Sequence, residues 1–289
     1  RGINANYCDG AIINGNNITG SQTSTYSRLI DNQLENQQTG ATINNNTLTM
    51  GSVYDTISCN FSTYVPDPNS YHDYPRYMEA IYSRFPIQVS GNTINMDFSG
   101  DCKAIELYDY FDGNGVAADT QIVSDNTIYA NSSSENNEDY SLIRIRAGSC
   151  CGTDSRTIIV ENNTIHAVGM HRNLIEIKQD GSNFDGSINV LNNTTSLNLY
   201  HSINCSSPSD DEFYSALNIS INNVNVVGNT FTGSGTGIYI PSANSYSNIV
   251  IDSNYIEAKQ AHTAQSVWGG QNTVTIGDDY HYGIYAPSS

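Results

Sequence analysis

Val160-Glu161-Asn162-Asn163-Thr164-Ile165 is the stretch that decides the fold, because its frame returns along the whole chain. The frame is an aliphatic residue, two variable positions, an Asn, one variable position and usually a second aliphatic. It recurs as Ile13-x-x-Asn16-x-Ile18, Ile43-x-x-Asn46-x-Leu48, Val89-x-x-Asn92-x-Ile94 and Val123-x-x-Asn126-x-Ile128. Beyond Asn163 it continues as Val190-x-x-Asn193-x-Thr195, Val226-x-x-Asn229-x-Phe231 and Ile251-x-x-Asn254-x-Ile256. From Asn to Asn the spacings are 30, 46, 34, 37, 30, 36 and 25 residues. A recurring unit of this length is the mark of stacked coils, with the variable part of the spacing spent in loops. Leu29-x-x-Asn32-x-Leu34 fits the frame too, but it falls between Asn16 and Asn46 and is read as a loop or an extra bend.

Between successive frames lie short alternating segments with one apolar face, which read as strands. They are Ala80-Ile81-Tyr82, Ala104-Ile105-Glu106-Leu107, Leu142-Ile143-Arg144-Ile145, Leu174-Ile175-Glu176-Ile177, Ser202-Ile203-Asn204-Cys205 and Gly237-Ile238-Tyr239-Ile240. Each coil therefore holds a strand before the Asn, a strand after it and this third one. Apolar residues at helical spacing over ten or more positions do not occur. Coils stacked in parallel at about 4.8 Å set like residues above like, so each Asn amide can donate to the copy above and accept from the copy below. Asn also tolerates the left-handed backbone region, which suits it to a sharp corner.

Segments such as Ser247-Asn248-Ile249-Val250-Ile251-Asp252-Ser253-Asn254-Tyr255-Ile256-Glu257-Ala258 resemble the repeat of right-handed parallel β-helices of the pectate-lyase-like type. The resemblance covers almost the whole chain. It implies an all-β, single-stranded right-handed parallel β-helix of about eight coils with loop excursions, forming one domain over 1–289. That superfamily includes polysaccharide lyases, glycoside hydrolases, epimerases, phage tailspikes and surface adhesins, and a fold does not choose among them. The acidic, Asn-rich and Tyr-rich character is most similar to bacteriophage tailspikes and comparable receptor-binding spikes. That likeness implies a place outside the cell or on a virion, surface polysaccharide as partner, and a homo-oligomer, as a trimer or an end-to-end assembly. Gly2-Ile3-Asn4-Ala5 and Gly283-Ile284-Tyr285-Ala286 resemble the third strand, so the 289 residues are expected to start and stop partway through a coil, as a piece of a longer solenoid would.

Composition narrows the partners. Eleven Lys and Arg against 29 Asp and Glu give a net charge of −18, which opposes phosphate backbones and anionic headgroups and argues against nucleic-acid binding. No apolar run approaches the length of a membrane span, so membrane insertion is not expected. Polarity comes instead from uncharged residues, 37 of them Asn, while 20 Tyr argue against disorder. The six cysteines form no Cys-x-x-Cys pair, which disfavours sulfur-bound metal and leaves an oxidising exterior and buried thiols both open. The six histidines show no ligand spacing, and no metal site is expected. Asp112-Gly113-Asn114-Gly115 resembles only the opening of a calcium loop, so calcium is the one ion kept in view.

Aligning the third strands puts Tyr82, Glu106, Arg144, Glu176, Asn204, Tyr239 and Tyr285 in one outward column, with Tyr108, Arg146 and Lys178 beside it. Glu106 and Glu176 then lie two coils apart, about 9.6 Å, with Arg144 between them. Inverting glycosidases separate their carboxyls by about 6.5–9.5 Å, so the pair is marginally compatible with inversion and unsuited to retention. These two are the catalytic candidates, with Arg144, Tyr82, Tyr108 and Tyr239 as substrate-binding candidates. Charges of alternating sign at coil spacing also support the stack electrostatically, and Arg144 is expected to lower the pKa of both carboxyls, the wrong direction for a general acid. Other acids, Asp97, Asp101, Asp109, Asp112, Asp180 and Asp210-Asp211-Glu212, are placed in loops. Tyrosine clusters at 64–82, at Tyr108 and Tyr110, and at 280–285 offer rigid rings to sugar faces, or else pack loops and subunit interfaces. Two functions follow: a polysaccharide-binding spike with or without glycan-hydrolysing activity, and a noncatalytic structural protein that assembles into an extracellular appendage or fibre.

Overall fold

In a computed structural model, residues 2–6, 8, 10–22, 26–32, 40–52, 77–84, 87–98, 102–111, 120–132, 141–149, 155–168, 173–180, 184–198, 215–233, 236–241, 246–257 and 282–286 are described. They form three sheets in which every strand pairs in parallel with the equivalent strand of the next coil. The first sheet collects the strands before each ladder Asn, from Ile12–Asn14 to Ile249–Asp252, and the second those after it, from Asn17–Gln22 to Tyr255–Glu257. The third sheet runs Ile3–Asn4, Tyr26–Asn32, Tyr77–Ser83, Cys102–Phe111, Ser141–Ser149, Asn173–Gln179, Ser215–Ser220, Thr236–Tyr239 and Tyr282–Tyr285. Eight strands, eight strands and nine strands make a parallel β-helix of about eight coils. It winds in the right-handed sense that parallel crossover connections adopt.

The interior is a set of aliphatic stacks. Ile13, Ile43, Val89, Val123, Val160, Val190 and Val226 line one side in register, and Leu48, Ile94, Ile128 and Ile165 another, nearly all with no exposed surface. β-branched side chains suit this geometry, since their single preferred rotamer repeats unchanged from coil to coil.

The asparagines line up. Asn16, Asn46, Asn92, Asn126, Asn163, Asn193, Asn229 and Asn254 form one continuous ladder, each Nδ2 donating to Oδ1 of the next at 2.9–3.0 Å. The same Oδ1 accepts the backbone N–H of the preceding ladder residue, as from Asn92 at 3.0 Å to Asn126. The second amide proton of Asn126 goes back one coil to the carbonyl of Val89 at 2.9 Å. A fully buried side chain thus satisfies its amide protons and its carbonyl oxygen without water.

The corner itself is built differently from the expectation. Ladder asparagines do not take the left-handed conformation; the residue just before each of them does, as Gly15, Asn45, Gly91, Asp125, Asn162, Asn192, Gly228 and Ser253. The turn of the chain and the aiming of the amide are divided between two residues, which leaves the ladder side chain free to point along the stack. Gly91 answers to packing as well, because a Cβ there would lie 2.5 Å from Oδ1 of Asn45 in the adjacent coil.

Two further assignments change. Leu29-x-x-Asn32 is no loop or extra bend: Tyr26–Asn32 is a third-sheet strand, with Leu29 and Ile30 in the core and Asn32 donating to Ser83 Oγ at 3.0 Å. Its Asn belongs to a different corner from the main ladder, which is why its spacing is irregular. In the coil after Asn193, the third strand is Ser215–Ser220 rather than the segment at Ser202, and Asn218 takes the column position assigned to Asn204. Asn204 lies outside the described residues.

Replacing Asn126 by Ala removes two donated bonds and orphans the buried N–H of Asn92. Chemical unfolding is expected to show a loss of about 2–4 kcal/mol. An equal change at exposed Asn45 should cost less than about 1 kcal/mol beyond its backbone strain.

Candidate functional site

Each third strand carries two successive core residues: Leu29-Ile30, Ala80-Ile81, Ala104-Ile105, Leu142-Ile143, Leu174-Ile175 and Ala216-Leu217. Two inward neighbours in a row break the alternation, so the residues flanking the pair, three apart, emerge on the same outer side. One outer column reads Asp31, Tyr82, Glu106, Arg144, Glu176, Asn218, Tyr239, Tyr285 in continuous register. Arg28 and Glu79 pair in register in the parallel column, followed there by Lys103. Among the described residues six of the seven cations, Arg28, Arg84, Lys103, Arg144, Arg146 and Lys178, fall on this one face.

The two columns interlock by charge. Arg28 pairs with Glu79 through Nε and with Asp31 at 3.2 Å. Lys103 Nζ stands 3.6 Å from Glu79 and 3.3 Å from Glu106. Arg144 reaches Glu106 at 4.0 Å and Glu176 at 2.9 Å, the latter as an ion pair without hydrogen-bond alignment. Ser141 Oγ donates to Glu176 at 2.8 Å, and Arg146 contacts Glu106 at 3.7 Å and Asp180 at 2.6 Å. Although the column points away from the core, Glu106 is 3% exposed, Arg144 3% and Glu176 9%.

Of the expected site residues, Tyr82, Tyr108, Glu106, Arg144 and Glu176 come together. The Tyr82 and Tyr108 rings stack at 6.3 Å, the Arg28 guanidinium lies 3.6 Å over Tyr82, and Arg84 and Arg146 lie 5.1 and 4.3 Å over Tyr108. Tyr239 is two coils beyond Glu176 and stacks instead on Tyr285 at 5.7 Å. Burial pushes the Tyr82 hydroxyl up, which keeps it neutral. Arg144 fills the space between the two carboxylates that an inverting mechanism needs for sugar and water.

Glu79, Lys103 and Arg28 are the members missed from sequence. The legible sign was the doubled core residue, which puts positions three apart on one side. Glu79 is the unusual one: burial first, then its hydrogen bond to Glu106 and the charge of that group, push its carboxyl from 4.5 to about 7. For Glu106, burial pushes upward but Lys103, the hydrogen bond from Glu79, Arg144 and Arg146 together outweigh it and hold the carboxyl below its ordinary value. Below about pH 7 Glu79 therefore holds a proton and donates it to ionised Glu106.

Asp97 is exposed on the second sheet, and Asp180 is the partner of Arg146. Asp101, Asp112, Asp210, Asp211 and Glu212, with Tyr64, Tyr71, Tyr74 and Tyr280, lie outside the described residues, as do Cys59, Cys150, Cys151 and Cys205. Cys8 is an exposed free thiol. Among the described residues no three His, Cys, Asp or Glu side chains gather where they could hold a metal ion.

A second feature lies on another face. Thr49, Gly51, Asn95, Asp97, Tyr129, Asn131, His166 and Val168 rim an open groove of about 320 Å³ across four coils of the second sheet. Tyr129 there is 47% exposed and stacks on His166 at 5.3 Å. Comparison with protein families, curated proteins and solved structures finds no match to this chain.

A raised carboxyl stabilises the fold fully below its unfolded value, and that contribution is lost as pH rises through the folded value. Glu79 therefore contributes below pH 4.5 and loses its contribution on approach to about 7, whereas Glu106 contributes above its ordinary value and loses its part in acid. Urea unfolding should show stability falling from about pH 5 to about pH 8. Glu79→Gln, neutral at every pH, should remove roughly 1–3 kcal/mol of that fall. An identical fall in the variant would refute the proton on Glu79.

Proposed function

We propose that this chain is a polysaccharide-binding spike, displayed outside the cell or on a virion, that holds a glycan without cleaving it through Glu106 and Glu176. The observation that carries the reading is aromatic rings on the outer columns, foremost Tyr129, 47% exposed and stacked on His166, with Tyr239 and Tyr285 stacked on the third sheet. A ring with one face left open can stack on the apolar face of a sugar, and a ring already ordered by its stacked neighbour loses little entropy on contact.

The carboxylates support the noncatalytic half. A general acid must reach the glycosidic oxygen and hold its proton near working pH. Glu106 is buried, paired with Lys103 and Arg146, and held below its ordinary pKa, while Arg144 stands between it and Glu176. The likeness to tailspikes adds the expectation of a trimer bound to a bacterial surface glycan.

Immobilised neutral and acidic glycans should retain the purified chain, and incubation with a retained polysaccharide should release no new reducing ends. Failure to retain any glycan would overturn the binding role. Reducing ends that vanish with Glu106→Gln or Glu176→Gln would overturn the noncatalytic part.

A further inference from the structure

We infer that the groove on the second sheet is a binding site for a neutral hexose unit of a glycan chain, with the ring of Tyr129 as its stacking wall. The inference rests on the glycan-binding reading above and gives it a place and a sugar class, on a different face from the charged network.

Register supplies the shape. Thr49, Asn95, Tyr129, His166 and Ser196 stand in one outer column, and Gly51, Asp97, Asn131 and Val168 in the next. The Tyr129 and His166 rings are nearly parallel, 19° apart, with a centroid separation of 5.3 Å, close to one coil. His166 thereby covers one face of Tyr129 and is itself held by a 2.9 Å hydrogen bond between Nδ1 and Ser196 Oγ. The opposite face of Tyr129 looks down the column over Asn95 and Thr49, whose side chains are shorter. The neighbouring column drops there to Gly51, which pairs onward with Ser21, and a Cβ added to Gly51 would meet nothing within 4 Å. The result is a step: a half-exposed aromatic wall above a lower floor of Gly51, Thr49 and Asn95. Its volume, about 320 Å³, sits at the lower end of those seen for small-molecule sites.

Chemistry supplies the ligand. Around the step are two amides, Asn95 and Asn131, one carboxylate, Asp97, and the hydroxyl of Thr49. Asn131 Nδ2 donates a long 3.4 Å hydrogen bond to Asp97 Oδ1, which holds the two exposed side chains side by side in adjacent coils and leaves the second amide proton and the second carboxylate oxygen to meet vicinal hydroxyls. An aromatic face with paired hydroxyl acceptors and donors fits a pyranose ring. Among the described residues no Lys or Arg lines the groove, and the one carboxylate there is negative. Anionic sugars are therefore disfavoured there, and a neutral hexose is the fitting unit. The columns run along the solenoid axis, so a chain of sugars can extend over neighbouring coils in both directions.

Two substitutions attack the site by opposite means. Tyr129→Ala removes the wall, and Gly51→Leu fills the floor without backbone strain, since Gly51 has ordinary φ and open space. Binding to printed arrays of neutral and acidic oligosaccharides, followed by titration calorimetry with the neutral oligosaccharide retained, is the measurement. At least a tenfold loss of affinity is expected in each variant, with Tyr129→Phe near wild type and the unfolding temperature of all three unchanged. If neutral glycans bind both variants undiminished, or only acidic glycans are retained, this site is overturned while the binding role stands. If no glycan is retained at all, both fall.

Discussion

Vertical registry of the coils is the constraint on which the remaining structure rests, and the buried carboxamide ladder enforces it. A ladder Asn has no water to fall back on, so its amide protons and its oxygen find partners only when the coils above and below place their own Asn and carbonyl groups at hydrogen-bond distance. Slipping one coil by a single residue would also turn its Ile and Val stack outward. Length variation is thus confined to connections away from the frame. Asn-to-Asn spacings can run from 25 to 46 residues while the ladder distances stay at 2.9–3.0 Å.

The same registry makes the third sheet electrostatically demanding. Side chains of successive coils stand about 4.8 Å apart, so a column of one sign would repel itself throughout its length. This chain sets Glu106, Arg144 and Glu176 in alternation and gathers most of its few cations around them. Where two carboxyls do meet, Glu79 and Glu106, a single proton replaces one of the charges, with burial favouring the protonated form of Glu79. Buried pairs of this kind add less to net stability than their distances suggest, because desolvation opposes the attraction. Their clearest consequence is specificity of stacking, since a shifted register would separate these buried charges from their partners in the adjacent coils.

The second sheet uses registry for display instead. Its outer columns are nearly free of charge and of unequal height, Gly51 and Thr49 giving way to Asn95 and then to Tyr129. Unequal side chains on equally spaced rungs produce a step that no single coil could form. Binding surfaces on a solenoid arise in this way from small differences between repeats that are otherwise alike.

Much of this was legible in the amino-acid order alone: the parallel stack, the eight ladder asparagines, and the alternation of Glu106, Arg144 and Glu176. Those features depend on spacing within one frame, and a repeated frame reports its own geometry. The left-handed residue before each ladder Asn, the third-sheet role of Tyr26–Asn32, and the choice of Asn218 over Asn204 were settled only in three dimensions. Each depends on which of two compatible segments pairs with a neighbouring coil, a long-range competition that local pattern does not decide. Burial of the glutamates, the proton that Glu79 donates to Glu106, and the step beside Tyr129 likewise belong to the tertiary structure. They come from side chains far apart in sequence that meet only when the coils stack.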